Sequence, residues 1–280
     1  MPAIDFKALF EEERARRRRA RADGATTTTA SGDAGAGAVS SAPPGVVFAP
    51  RERLRLADHD VGACRGIAGL HYVPDFITPD EEAAVLAGVY ASGTERRWTP
   101  SGMRRVQNWG GSPGSLEVTE PLPPFADALR AAIVQSGVYS PADAPNHVLV
   151  NEYRRPAGIA PHNDGAVYAP RVAIITLRGS ALMDFWPDDG SPALDDDRSE
   201  RARAPDAPVP VAQVLLRPRS LLVYEGDAYR LRHGIREASE DRVGPTCANG
   251  TVVDVATGDV VERGETRLSV VFVRKGDYGE

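Results

Sequence analysis

The chain has 280 residues, 42% of them hydrophobic and 26% charged, a length that gives one generous domain plus tails. Its formal net charge of -6 argues against a broad surface that tracks duplex phosphates, although a local groove stays open. The two cysteines, Cys64 and Cys247, lack CxxC spacing, no apolar run approaches the ~20 residues of a membrane span, and the opening residues do not form a basic-then-apolar leader; free thiols, no membrane partner and residence in nucleus and cytoplasm are expected.

Residues 1–22 read as a charged helical tail, with Ile4, Ala8 and Leu9 on one face, acids early and Arg16 to Arg19 late, which suits the helix dipole. Either this helix is simply solvated, or its Phe6/Leu9/Phe10 face docks a protein partner, or its arginines serve import or RNA contact. Residues 23–65 form an expected linker, because the stretch to Pro50 is Ala, Gly, Ser, Thr and Pro with too little apolar surface to offset its ordering entropy. The folded domain is expected over 66–280. Leu70–Phe76 reads as a strand, and Thr78-Pro79-Asp80-Glu81 is a capping box that starts a helix running to about Tyr90. A second helix spans about Pro124–Ser136. Short strands follow at His147–Tyr153, Val172–Leu177, Ala181–Trp186, Ala212–Leu216, Ser220–Glu225, Tyr229–Arg232 and Arg267–Arg274, broken by insertions at 187–210 and 237–265. No helical pattern lies between these strands, so an antiparallel sandwich or jelly roll with two supporting helices is expected, an α+β fold.

Pro161-His162-Asn163-Asp164-Gly165 carries an HxD pair, and on an extended segment both side chains point the same way. His233, in Arg232-His233-Gly234, is the natural third ligand. Two imidazoles and one carboxylate leave three positions open on a metal, which suits non-haem Fe(II) rather than a closed structural zinc site. HxD alone is a weak signal, and a lone histidine is more often structural than ligating. A buried dicarboxylate such as 2-oxoglutarate further needs a fixed cation, for which arginine is better suited than lysine. Arg267 and Ser269 share one face of the last strand, and Asn151 and Tyr153 share one face of the strand before the HxD.

The ordered set Asn-x-Tyr, HxD, His, Arg-x-Ser resembles the AlkB family of dioxygenases. Further matching segments are His71-Tyr72-Val73-Pro74-Asp75-Phe76-Ile77, Gln107-Asn108-Trp109-Gly110-Gly111, Asn146 to Asn151 and Pro218 to Val223, so the resemblance covers about Leu70 to Arg274. It implies a double-stranded β-helix, iron on His162, Asp164 and His233, and 2-oxoglutarate on Asn151, Tyr153, Arg267 and Ser269. It also implies a substrate lid at Asn108 and Trp109, with Trp109 stacking on a base. Two departures stand out. The family's second arginine falls on Val273; Arg274, one residue later, is the expected substitute for it on 2-oxoglutarate, and needs a β-bulge to re-aim it from the opposite face. The acidic base reader of the bacterial member falls on Ala166. The resemblance implies oxidative demethylation of an alkylated base in single-stranded RNA or DNA by a monomer. Two alternatives stay open: the same chemistry on a protein or small molecule, and a non-catalytic binding module that kept the fold.

Overall fold

The computed structural model describes residues 48–165, 167–188 and 209–276; the tail, the linker up to residue 47, residues 189–208 of the first insertion and Ala166 lie outside the described residues. Two antiparallel sheets pack face to face. The larger runs in the order β1 (Leu70–Val73), β9 (Leu221–Glu225), β6 (Arg171–Arg178), β13 (Thr266–Val273), β4 (His147–Arg154), β3 (Arg104–Trp109), β2 (Thr99–Ser101). The smaller runs β5 (Ile159–His162), β10 (Arg232–Ile235), β7 (Ala181–Trp186), β8 (Ala212–Leu216). From β4 onward the chain crosses repeatedly from one sheet to the other, which is the winding of a double-stranded β-helix, as the strand-rich sequence leads one to expect.

Alternation along each strand sorts its side chains into two cores. On the outer face of the larger sheet, Val148, Val150, Ile175, Val270 and Phe272 pack against the helices α1 (Pro79–Val89) and α3 (Pro124–Gln135). On the inner face, Tyr72, Ile174, Leu222, Tyr224 and Val273 meet Met183, Phe185, Val214 and Ile235 of the smaller sheet. The capping box forms as read: Thr78 Oγ1 accepts from the Glu81 N–H, and the Glu81 carboxylate accepts from the Thr78 N–H. The short helix α2 (Ser92–Glu95) follows α1.

Two sequence expectations need correction, and the second insertion gains a structure. The expected linker over 23–65 ends earlier: Phe48, Leu54 and Leu56 pack on the helix-side core, Val61 is buried, and the Val61 and Gly62 N–H groups both donate to Leu70 O. The expected strand Tyr229–Arg232 is a helical turn, α4 (Gly226–Tyr229), with β10 starting at Arg232. Gly226, at φ +55°, breaks β9, and the Ala228 N–H then bonds Ala68 O, burying Ala228. The 237–265 insertion is packed: it forms a hairpin, β11 (Glu240–Arg242) with β12 (Val260–Glu262), and lays Val243 and Val261 against Leu182 and Leu215. Its Asn249 side chain bonds both the N–H and the C=O of Leu215, acting as an extra strand partner at the edge of the smaller sheet.

Candidate active site

A cavity of about 390 Å³ lies between the sheets, and His162, Asp164, His233, Asn151, Tyr153 and Arg267 all line it. Pairing of β5 with β10 sets His162 directly opposite His233, and the two rings stand 4.4 Å apart. Gly234 permits this close approach, because a Cβ there would sit 2.8 Å from Ile159 O.

A carbonyl can only accept, so the 2.8 Å contact between His162 Nδ1 and Ala160 O puts the ring proton on Nδ1 and leaves Nε2 with a lone pair. Burial holds this imidazole below its ordinary pKa, and the neighbouring His233 pushes the same way, so it is neutral at pH 7. Tyr224, from the inner face of β9, donates to Asp164 Oδ2 at 2.8 Å and lies 3.4 Å from His233 Nε2. His233 Nε2 stands 4.0 Å from Asp164 Oδ2. As the side chains stand, no three His, Cys, Asp or Glu among the described residues form a ready metal-binding group. Tyr224 thus holds the carboxylate oxygen that faces His233, and a carboxylate with one hydrogen bond accepted keeps lone pairs for a metal. The donor set of neutral imidazole, imidazole and carboxylate fits a divalent ion with open positions.

Register places a second group of side chains on the larger sheet. Arg267 pairs with Tyr153, and Ser269 pairs with both Asn151 and Thr176. The Arg267 guanidinium is buried, donating to Ser269 Oγ and Thr176 Oγ1, both at 3.3 Å, and lying over the Tyr153 ring at 5.5 Å. Burial pulls its pKa down to about 10, which still leaves it charged at neutral pH. No carboxylate among the described residues forms an ion pair with it, and its Nε has no hydrogen-bond partner. A buried guanidinium in that state is suited to a carboxylate ligand.

Three of the expected site residues stand elsewhere. The β13/β4 pairing runs unbroken from Thr266 to Val273, so no bulge re-aims Arg274. Arg274 turns away from the cavity and donates to Ala144 O at 3.1 Å, while Val273 lines the cavity. Trp109 is not available to stack on a base: it points to the helix side, edge-on to Phe125, with Arg97 over its ring and its Nε1–H on Gln107 Oε1. Asn108 lies on the cavity face of β3, opposite Leu149, but outside the cavity lining. Among the lining residues that no sequence motif marks are Tyr224 and Arg104. Alternation within Leu221–Glu225 could have placed Tyr224; Arg104 needed the pairing of β3 with β4, which no local pattern announces.

No family model matches the chain. The chain is 34% identical over 205 residues to the Danio rerio protein named probable RNA/DNA demethylase ALKBH6, covering 72% of this chain and 84% of that one. An Arabidopsis thaliana alkylated DNA repair protein ALKBH8 homolog is 28% identical over 189 residues, 63% of this chain and 53% of that one. The solved structure of OsALKBH1 aligns with 74% of this chain and 98% of its own, with TM-score 0.44 and 16% identity.

Proposed function

The chain belongs to the AlkB family of Fe(II)- and 2-oxoglutarate-dependent dioxygenases, and on that premise we propose that it oxidatively demethylates an alkylated base in single-stranded RNA or DNA. In this reading His162, Asp164 and His233 hold the iron. Arg267, Ser269, Asn151 and Tyr153 hold 2-oxoglutarate. With iron bound, the site would convert 2-oxoglutarate and dioxygen to succinate and carbon dioxide while one oxygen atom enters an alkyl C–H bond, and the hydroxymethyl group would then leave as formaldehyde.

The protein's share is positioning and exclusion of water. Ala160 O fixes the His162 tautomer, and the Tyr224 hydroxyl orients the Asp164 carboxylate. Arg267 meets the distal carboxylate of 2-oxoglutarate, with Ser269 and Thr176 keeping its planar fork in place. Apolar side chains such as Ile174, Met183 and Val271 line another part of the cavity and limit the water it holds.

The observation that supports this reading best is the meeting, in one cavity, of two imidazoles and a carboxylate with a buried guanidinium that has no carboxylate partner among the described residues. A net charge of -6 suits single-stranded substrate better than a phosphate-tracking duplex interface. A second reading, a protein or small-molecule substrate, draws on one feature: Asp164 is the only carboxylate in the cavity lining among the described residues, so none is left to read a cationic base.

The test is succinate release from 2-oxoglutarate with Fe(II) and dioxygen, across methylated single-stranded oligonucleotides and methylated peptides. Oligonucleotide-stimulated turnover that His162→Ala abolishes is expected. Stimulation by peptides alone would move the substrate to the second reading, and no turnover with either would overturn the proposal.

A further inference from the structure

We propose that Arg104 is the second cation of the co-substrate site, supplied by the neighbouring strand β3 and directed at the carboxylate of 2-oxoglutarate that Arg267 does not hold. The inference rests on the reading of this cavity as the 2-oxoglutarate site.

Charge gives the first argument. 2-Oxoglutarate carries two carboxylates, and a buried carboxylate needs a partner. Arg104 and Arg267 are the only arginine or lysine side chains in the cavity lining among the described residues. The last strand offers no other cation, because Val271 and Val273 line the cavity and Arg274 bonds Ala144 O outside it.

Register gives the second. Arg104 pairs with Tyr153 across β3 and β4, and Arg267 pairs with Tyr153 across β13 and β4. The three stand in one row on the inner face, arginine on either side of the phenol. Strand spacing puts the two arginine Cα atoms ~10 Å apart. A five-carbon dicarboxylate separates its carboxyl carbons by ~5 Å, which leaves room for a guanidinium at each end.

Donor geometry gives the third. Arg104 Nε–H lies 3.2 Å from Asn151 Oδ1. An arginine N–H can only donate, so it must meet the amide oxygen, and the Asn151 NH2 group is turned the other way. Arg104 thus fixes the amide with its two donors presented, while its own terminal N–H groups make no ion pair with any described residue. Arginine and asparagine together form a donor set for one carboxylate. Since Arg267 holds the distal carboxylate, this set falls to the end that also binds the metal.

The experiment is calorimetric titration of the full chain, with Mn(II) in place of iron, using 2-oxoglutarate and oxalate. Oxalate carries only the metal-binding end. In Arg104→Gln both ligands are expected to weaken by about ten- to a hundredfold, the loss of charge-assisted hydrogen bonds. In Arg267→Gln only 2-oxoglutarate should weaken, and Arg104→Lys should recover part of the loss. An unchanged melting temperature without ligand shows that the Gln variant is folded; should it unfold, Arg104→Lys carries the test, with an expected loss of up to about tenfold against the wild type, the same for both ligands. Unchanged binding of both ligands would overturn the proposal, more firmly still if the KM for a methylated oligonucleotide rose, since Arg104 would then read substrate. Loss of 2-oxoglutarate alone would move Arg104 to the distal end and overturn the assignment. Failure of the wild-type chain to bind 2-oxoglutarate would instead sink the reading of the whole cavity.

Discussion

Tyr224 is the residue through which three parts of the site meet: it comes from β9, donates to Asp164, and touches His233. Outer partners of metal ligands commonly set affinity by about 10- to 100-fold. Tyr224→Phe keeps the ring packed against Phe185 and removes only the hydroxyl. Its Fe(II) or Mn(II) affinity is expected to fall by about tenfold, with the fold retained; equal metal affinity in a calorimetric titration would count against the orienting role. Trp109 makes the opposite case. The resemblance suggested a ring that stacks on substrate, yet the residue sits between Phe125 and Arg97 in the helix-side core. Trp109→Phe should therefore act on stability, by about 1–3 kcal/mol from lost packing and the lost bond to Gln107. The KM for an oligonucleotide should stay within about twofold; a large rise in KM without loss of stability would restore the stacking role.

At the scale of elements, what could be read in advance depended on period. A strand's alternation of two assigns faces without any knowledge of partners, so Asn151 with Tyr153 and Arg267 with Ser269 could be placed together from the chain alone, and the structure puts all four in one cavity. The same rule, applied to Gln107-Asn108-Trp109, separates Asn108 from Trp109, but nothing local marks that segment as a strand. Its polar, glycine-ended sequence resembles a loop, and only pairing with β4 makes β3. The stretch around Leu54, Leu56 and Val61 is illegible in the sequence for a different reason. Its apolar residues are sparse and follow neither helical nor strand period, because they fill gaps in cores built by other elements. The capping box of α1 needed no tertiary information and formed as read. Its Glu81 also accepts from Arg51 and from the Ala49 N–H, so the cap fastens the N-terminal segment to the helix. Thr78→Ala should cost about 1 kcal/mol in a urea unfolding curve. Because Glu81 keeps its other partners, the loss should not extend to cleavage of the chain before residue 66; rapid proteolysis there would show that the cap organises the whole segment.

For the molecule as a whole, closure depends on a cluster behind the cavity wall, reached through Tyr168. His147, at the start of β4, is fully buried; its Nε2 lies 3.1 Å from Gly111 O, and its ring stacks on Tyr168. A carbonyl accepts, so Nε2 carries the proton and Nδ1, which has no partner, is left bare. Beside it, the buried Lys275 donates to Ser112 O, and the Asn146 amide bonds the Lys275 backbone. The end of β13, the start of β4 and the loop after β3 are thereby fastened together. Burial pushes the His147 pKa down to about 4, with the Lys275 charge acting the same way. A folded-state pKa below the unfolded value of about 6.5 means that the unfolded chain takes up the proton first. The fold therefore keeps its full stability above about pH 6.5 and loses it progressively as pH falls toward 4. Between pH 6.5 and pH 5 that loss is up to about 2 kcal/mol from this residue. His147→Gln keeps a donor for Gly111 O and cannot titrate. Urea midpoints at pH 7 and pH 5, with chelator in every sample so that metal release does not contribute, should fall further in the wild type than in the variant. Parallel losses would mean that acid opens the molecule elsewhere, and would leave the His147 cluster as packing alone.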